Sequence, residues 1–405
     1  MIKILHTSDW HAGKVNLREP RREDLQYALD RIKDFIKQEK VDCLLVSGDI
    51  FDKPVVSPQD MSLVWNFFLS ISSYGVKTVV ISGNHDSSDY LASMKEIMRL
   101  IDVYIFYKIE RDISKAFLDF ELGRDQKEKI SFFALPYVSP RITYDILRDS
   151  SNVRSLETYI DFVSAYLETA VERYMRGNPT IMISHLAIAE AKPSGTEKEI
   201  SLRADFCIPH TKIPSAFVYY ALGHIHRYQR VSETKKMYYS GSVYQIDFSE
   251  EKDEKKGFNF ITIKNGYIDK IEFCPIGLKR RMKTYEFDLS KRSLDSVLQE
   301  LISGGKDTLK RIFLYFNEEK KYLIPEFLNK IKTVEGVISI NFESSEEKKV
   351  IPDISSLESF DPSDTDIITL YERFYSEFKK ESLEFFNKSI RPYVLKIIEK
   401  YKNQG

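Results

Sequence analysis

The chain has 405 residues, 42% of them apolar, and a formal net charge of −1. That length suits two or three domains with a sizeable core. The balanced charge excludes a globally basic nucleic-acid binder, so any DNA surface must be local or helped by metal ions that offset phosphate charge. Cys43, Cys207 and Cys274 are far apart and lack metal-ligand spacing, which excludes a disulfide framework and a thiolate zinc site and fits a reducing cytosol.

Taken in chain order, short apolar runs end in polar clusters. The start, "MIKILHTSDWH", has too short an apolar stretch for a signal peptide, and no run reaches the ~18 apolar residues of a membrane span, so a cytoplasmic protein without membrane contact is expected. "IKIL" runs into "HTSDWH", "VDCLLV" into "SGDIFD", "VKTVVI" into "SGNHD", "TIMI" into "SHLA", and "VYYAL" into "GHIH". Between the first three lie helix-like stretches, 22–39 and 60–73, with apolar residues at three- and four-residue spacing. This alternation predicts an α/β fold, in which ligands bind beyond the carboxyl ends of strands. From about 237 strands and turns take over, and Asn265-Gly266 predicts a hairpin.

Past "CPIGLKRR", five segments read as strand, helix, strand, helix, strand and predict a small α/β domain over 276–345, leaving 1–275 as the first domain. Residues 346–363 are polar, acidic and turn-rich, a linker. In 364–405 two amphipathic helices are expected. Ile367, Leu370, Tyr371, Phe374, Tyr375 and Phe378 form an apolar stripe on the first, and Pro392 interrupts or restarts the second.

The polar clusters supply the candidate ligands: Asp9 and His11, Asp49, Asn84 and His85, His185, and His224 with His226. Each motif alone is weak, and two histidines in "GHIH" also fit a surface loop. Five such clusters, each after a predicted strand, point to one site. Imidazole and carboxylate suit borderline and hard divalent ions. Two ions ~3.5–4 Å apart need a negative bridge, and two ions would give each ring of "GHIH" its own partner. On an extended strand His224 and His226 would leave toward one side.

The series "SDWH", "SGDIFD", "SGNHD", "SHLA", "LGHIH" resembles the calcineurin-like metallophosphoesterases. More narrowly, "HTSDWHAGK", "GDIFDKPVVSP", "YYALGHIHRYQ" and "YYSGSVYQIDFSEE" resemble the SbcD branch of the double-strand-break repair nucleases, over about residues 1–250. The resemblance implies two sheets flanked by helices, a small α/β capping domain that contacts DNA, and a C-terminal helical pair. It implies Asp9, His11 and His226 on one metal, Asn84, His185 and His224 on the other, and Asp49 bridging. His85 would face the scissile phosphate as proton donor or charge stabiliser, with Asp86 orienting its ring. The implied ions are manganese. The implied activity is DNA hydrolysis in repair and recombination, exonucleolytic at duplex ends and endonucleolytic on single strands or hairpins. An SbcC-like coiled-coil ATPase would bind 364–405, with the nuclease as a dimer inside a heterotetramer. Two departures stand out: Asp52 replaces a histidine found in some branches, and "SHLA" stands where relatives often have Gly-His. Two other classes stay open, a phosphoesterase acting on a small or protein substrate and a non-catalytic DNA-binding protein.

Outside this constellation, His6 reads as a buried, hydrogen-bonded histidine and His210 as a loop residue. Arg21 and Arg22 read as a solvated helix start, and "LKRRMK" (278–283) as either a linker-side charge run or part of a DNA surface.

Overall fold

A computed structural model describes residues 1–124, 126–140, 143, 158–195 and 206–344. The expected linker and helical pair at 346–405 lie outside the described residues. The elements in order are β1 (Ile2–Thr7), β2 (Val15–Asn16), β3 (Glu19–Pro20), α1 (Arg22–Glu39), β4 (Cys43–Ser47), α2 (Pro58–Ser72), β5 (Lys77–Ile81), α3 (Ser88–Arg99) and β6 (Val103–Phe106). Then come β7 (Phe117–Leu122), β8 (Glu128–Leu135), α4 (Tyr159–Tyr174), β9 (Thr180–His185), β10 (Tyr219–Gly223), β11 (Gln229–Arg230), β12 (Met237–Tyr239), β13 (Gly257–Lys264) and β14 (Tyr267–Pro275).

Two six-stranded sheets face each other, ordered β14-β13-β1-β4-β5-β6 and β11-β12-β10-β9-β8-β7. Parallel strands β1, β4 and β5 form the centre of the first, and β8, β9, β10 and β12 that of the second. Their near-continuous apolar sequences follow from burial on both faces. Ile4, Leu45, Val79 and Ile81 of one sheet pack on Phe132, Ile181, Ile183 and Ala221 of the other. The outer face of the first sheet is covered by α1 to α3, whose Leu25, Leu29, Ile32, Val64 and Phe68 are buried, and that of the second by α4. Ser57 caps α2 by accepting from the Asp60 N–H. Asn265 and Gly266, at φ 51° and 78°, close the predicted hairpin between β13 and β14.

His6 crosses the inter-sheet core. Its Nδ1 lies 3.0 Å from the Tyr219 hydroxyl and its Nε2 3.2 Å from the Leu222 carbonyl. The ring is fully buried, as its sequence position suggested, and burial lowers its pKa to about 3.

The remaining elements are β15 (Arg281–Asp288), α5 (Leu294–Ser303), β16 (Thr308–Phe316), α6 (Leu323–Lys330) and β17 (Val337–Ser344), the order read from the sequence. Their sheet is parallel, ordered β15-β16-β17, with its own core around Phe287, Leu298, Ile312, Leu314 and Phe327. It docks on residues 245–251: the Met282 N–H donates to Gln245 Oε1 at 2.8 Å and the Thr284 N–H to Glu251 Oε2 at 2.8 Å.

Two basic segments behave differently from a solvated surface. Arg21 is 1% exposed, bonded through Nε to Asp24 at 2.8 Å, and Arg22 pairs with Asp60 at 2.7 Å. The expected solvated helix start therefore holds only in part: Arg21 is drawn into a buried ion pair, whereas the Arg22 side chain stays 43% exposed. In "LKRRMK", Lys279 pairs with Glu23, Arg280 with Asp24 and Glu19, and Arg281 with Glu254. Much of that charge is thus spoken for within the chain. Among the described residues no helix is long and apolar enough to cross a membrane.

Candidate metal centre

The nominated residues lie at or just past the carboxyl ends of five strands, β1, β4 and β5 of one sheet and β9 and β10 of the other, and converge on one edge of the sandwich. The loops after β1 and β4 keep pairing beyond the sheet: the Asp9 N–H donates to the Gly48 carbonyl, His11 to Asp49 and Ala12 to Ile50, at 3.0, 3.0 and 2.8 Å. Asp9, His11, Asp49 and His224 all have positive φ, at 53°, 44°, 50° and 102°. Such backbone strain concentrates where a loop must aim a functional group.

Asp49 lies at the middle. Its Oδ2 is 3.6 Å from His11 Nε2, 3.5 Å from His185 Nε2 and 4.0 Å from His85 Nε2. Its Oδ1 accepts the His85 N–H at 2.8 Å. On one side His11 Nε2 meets His226 Nε2 at 3.2 Å. On the other Asn84 Oδ1 is 3.0 Å from both His185 Nε2 and His224 Nδ1. Asp9, held by the Ser8 hydroxyl at 2.6 Å and the His224 N–H at 3.1 Å, joins both sides. Ligand atoms of Asp9, His11 and His226 lie within 4.8 Å of one another, and so do those of Asp9, Asp49 and His185. A third grouping within that reach joins His11, Asp52 and His85.

The donor chemistry fits two divalent cations. Buried imidazole nitrogens face one another and carboxylate oxygens at distances where all of them cannot be protonated, while a cation between them satisfies every lone pair. Burial works to raise the Asp49 pKa, yet the facing His185, His11 and His85 rings hold it well below the carboxylate range. Burial likewise opposes charge on His185, and Asp49 outweighs it, lifting that imidazole to about 9.

The "GHIH" geometry differs from the strand-based expectation. β10 ends at Gly223, and His224 at φ 102° turns the chain, so the pair does not project from an extended strand. The two rings instead diverge, His224 toward Asn84 and His226 toward His11. Asp86 also differs. Its carboxylate accepts from the N–H groups of Gly83, Phe51 and Ile50, at 2.8, 2.9 and 3.3 Å, and so ties the β4 loop to the β5 loop. Burial and the neighbouring Asp49 charge raise it to about 6. The Asp52 carbonyl lies 2.8 Å from Nδ1 of the His85 ring. The Asp52 side chain meets Lys14 at 3.2 Å and His11 Nδ1 at 3.4 Å, the latter outside hydrogen-bond geometry. Burial opposes ionisation of Asp52, but His11 and Lys14 bring it down to about 2.

The family described as Calcineurin-like phosphoesterase matches residues 2–228, more than half of the chain and a span that includes every nominated ligand. The chain belongs to that family. It is 26% identical over 297 residues to the D component of nuclease SbcCD from Escherichia coli strain K12, and equally to that of O157:H7, covering 71% of this chain and 72% of the relative. Among solved structures, the Bacillus subtilis phosphoesterase YfkN has 13% identity and a TM-score of 0.37, over 68% of this chain and 90% of that one.

Several residues of this phosphoesterase that touch the site escaped the sequence reading. Glu250 lies 2.8 Å from His226 Nδ1 and is fully buried with Lys256. The Tyr137 ring lies 6.5 Å from that of His224, nearly parallel, and 6.2 Å from that of His185, edge-on. Nothing in "SEEKDEKKG" separates Glu250 and Lys256 from a solvated charge run.

Proposed function

We propose that this phosphoesterase is the metal-dependent DNA nuclease component of an SbcCD-like complex, acting in repair and recombination on duplex ends, single strands and hairpins. The observation that carries the metal-dependent hydrolase is the convergence of five strand-end clusters on one centre built around the Asp9 and Asp49 carboxylates. The nuclease reading is supported by the E. coli SbcCD relatives, matched over 72% of their length.

In this reading Asp9, His11 and His226 would hold one ion and Asn84, His185 and His224 the other, with Asp49 shared between them. The pair, proposed to be manganese, supplies Lewis-acid charge stabilisation of the phosphodiester and an activated water. The chain's own residues do the rest. His85 keeps 21% of its side chain exposed while Asp49 keeps 2% and His185 none, which suits a group that meets substrate. The Asp52 carbonyl takes the His85 Nδ1–H and leaves Nε2 facing the centre, where the ring can carry a proton toward the leaving oxygen. The sheet over 281–344 is proposed to cap the site and contact the duplex. Residues 364–405 are proposed to bind an SbcC-like coiled-coil ATPase through their apolar stripes, with the nuclease a homodimer in the cytoplasm.

The test is cleavage of end-labelled duplex and circular single-stranded DNA with manganese, with and without chelator, beside bis-p-nitrophenyl phosphate. Chelator-sensitive cleavage of both DNAs is expected. Turnover of only the small diester overturns the substrate assignment.

A further inference from the structure

His226 is supported differently from His185, the most deeply buried of the nominated rings. His185 Nδ1 faces a neutral backbone carbonyl, that of Ser47, at 2.8 Å. His226 Nδ1 faces a carboxylate, Glu250 Oε1, at 2.8 Å. Glu250 comes from a short 3-10 turn, Phe248–Glu250, and has no exposed side-chain surface. A lone carboxylate in such a place would be strongly disfavoured.

Lys256 answers that. It is fully buried, and its Nζ donates to Glu250 Oε2 at 2.7 Å, to Ser242 Oγ at 2.9 Å, to the His226 carbonyl at 3.1 Å and to Asp253 Oδ2 at 3.2 Å. The Ile246 N–H gives Oε2 a further bond at 3.1 Å. One ammonium therefore balances the carboxylate and also grips the backbone of the residue whose ring that carboxylate orients. A buried ion pair adds little net stability, so packing alone does not account for placing two charges here.

We propose that Glu250, balanced by Lys256, is the positioning residue for His226, fixing the ring with hydrogen on Nδ1 and the Nε2 lone pair aimed at the ion shared with Asp9 and His11. The proposal rests on the two-ion reading above. It makes the two ion sites unequal: one has a carboxylate bonded behind His226, one of its two histidines, and the other a carbonyl behind His185, one of its two. A carboxylate behind a ligating imidazole strengthens the ring as a donor, and its loss typically lowers metal affinity 10–100-fold.

Manganese titration followed by electron paramagnetic resonance resolves the two sites in the wild-type chain, in Glu250→Gln and in Glu250→Gln/Lys256→Met, with melting temperature measured on the same metal-free samples. Both variants should weaken one site by about 10–100-fold and leave the other within about twofold. The double variant removes both buried charges together, so it should recover melting temperature relative to Glu250→Gln without recovering affinity. Equal wild-type affinities in a stable double variant overturn the proposal, as does parallel weakening of both sites. Should Glu250→Gln fail to fold, nitrogen-15 shifts of the manganese-free chain loaded with a diamagnetic zinc probe decide it: His226 must carry hydrogen on Nδ1, and hydrogen on Nε2 overturns it. Wild-type chain that holds no second ion removes the metal reading itself, whereas two ions held alike in all three proteins removes only the role of Glu250.

Discussion

Lowering pH should loosen the seam beneath the site through His6, and the size of the effect can be worked out. His6 sits two residues before Ser8 and joins β1 to β10, the strands that lead into Asp9 and His224. Burial lowers its pKa from 6.5 to about 3, with the Leu222 carbonyl opposing the shift. The unfolded chain therefore binds a proton below pH ~6.5 that the folded chain refuses, and stability must fall as pH drops through that window. Between pH 8 and pH 5 the loss is about 2 kcal/mol, and it approaches about 5 kcal/mol below pH 3, at 1.36 kcal/mol per pKa unit. Urea unfolding of wild type and His6→Gln, in chelator so that metal protons do not contribute, isolates the term. The amide is smaller and destabilises the seam at every pH, but it does not ionise. The fall in stability from pH 8 to pH 5 should be about 2 kcal/mol larger for wild type than for the variant. Parallel falls, equal within about 0.5 kcal/mol, would refute the reasoning and mean that the ring protonates in place.

Three further outcomes follow from the geometry. Asp49→Ala removes the anion that faces His11, His185 and His85, so metal content should drop well below two ions per chain and DNA cleavage should vanish; full occupancy by metal analysis would end the bridging role. His85→Asn should preserve metal content and DNA affinity while turnover falls by roughly two to four orders of magnitude, the usual range for a lost acid–base group; metal loss would make His85 a ligand. Gly83→Ala places a Cβ against the Asp49 side chain and backbone, closer than any real Cβ contact. It should reproduce the metal loss of Asp49→Ala although it removes no ligand, and a chain that still binds two ions would show that the β4 loop yields.

What could be read from the sequence had one source. In a parallel sheet every strand delivers its next residues to the same edge, so apolar runs ending in "HTSDWH", "SGDIFD" and "SGNHD" gather at the edge of one sheet and those ending in "SHLA" and "GHIH" at the edge of the other, and the facing of the two sheets unites them. The same local logic revealed the Asn265-Gly266 turn, where backbone preference alone decides the conformation. It failed where tertiary burial decides. Arg21 has the letters of an exposed helix start, but Asp24 and the Tyr244 ring, 5.3 Å from its guanidinium, take it into the interior. Asp86 stands next to His85 in sequence, yet its carboxylate satisfies three backbone donors of two loops, and a different carbonyl orients the ring. Glu250 and Lys256 open and close "EEKDEKK", an unbroken run of charges in which no local pattern marks two members as buried.

The strained backbone at Asp9, His11, Asp49 and His224 connects these levels. A non-glycine residue at positive φ costs about 1 kcal/mol or more, so four of them survive only if the surroundings over-determine them. The surroundings here are the paired loops. Asp9 and His11 donate to the carbonyls of Gly48 and Asp49, and Asp52 donates back to Ala12 at 3.0 Å. The His224 N–H closes the set on the Asp9 carboxylate at 3.1 Å. Each carboxylate is thus held by its neighbour's backbone before any cation arrives. Carboxylate and imidazole donors assembled this way already face one another in the folded chain, so cations could be taken up without rearranging the loops. That is why removing a carboxylate, or displacing one through Gly83, should disturb metal content far more than it disturbs the sandwich beneath.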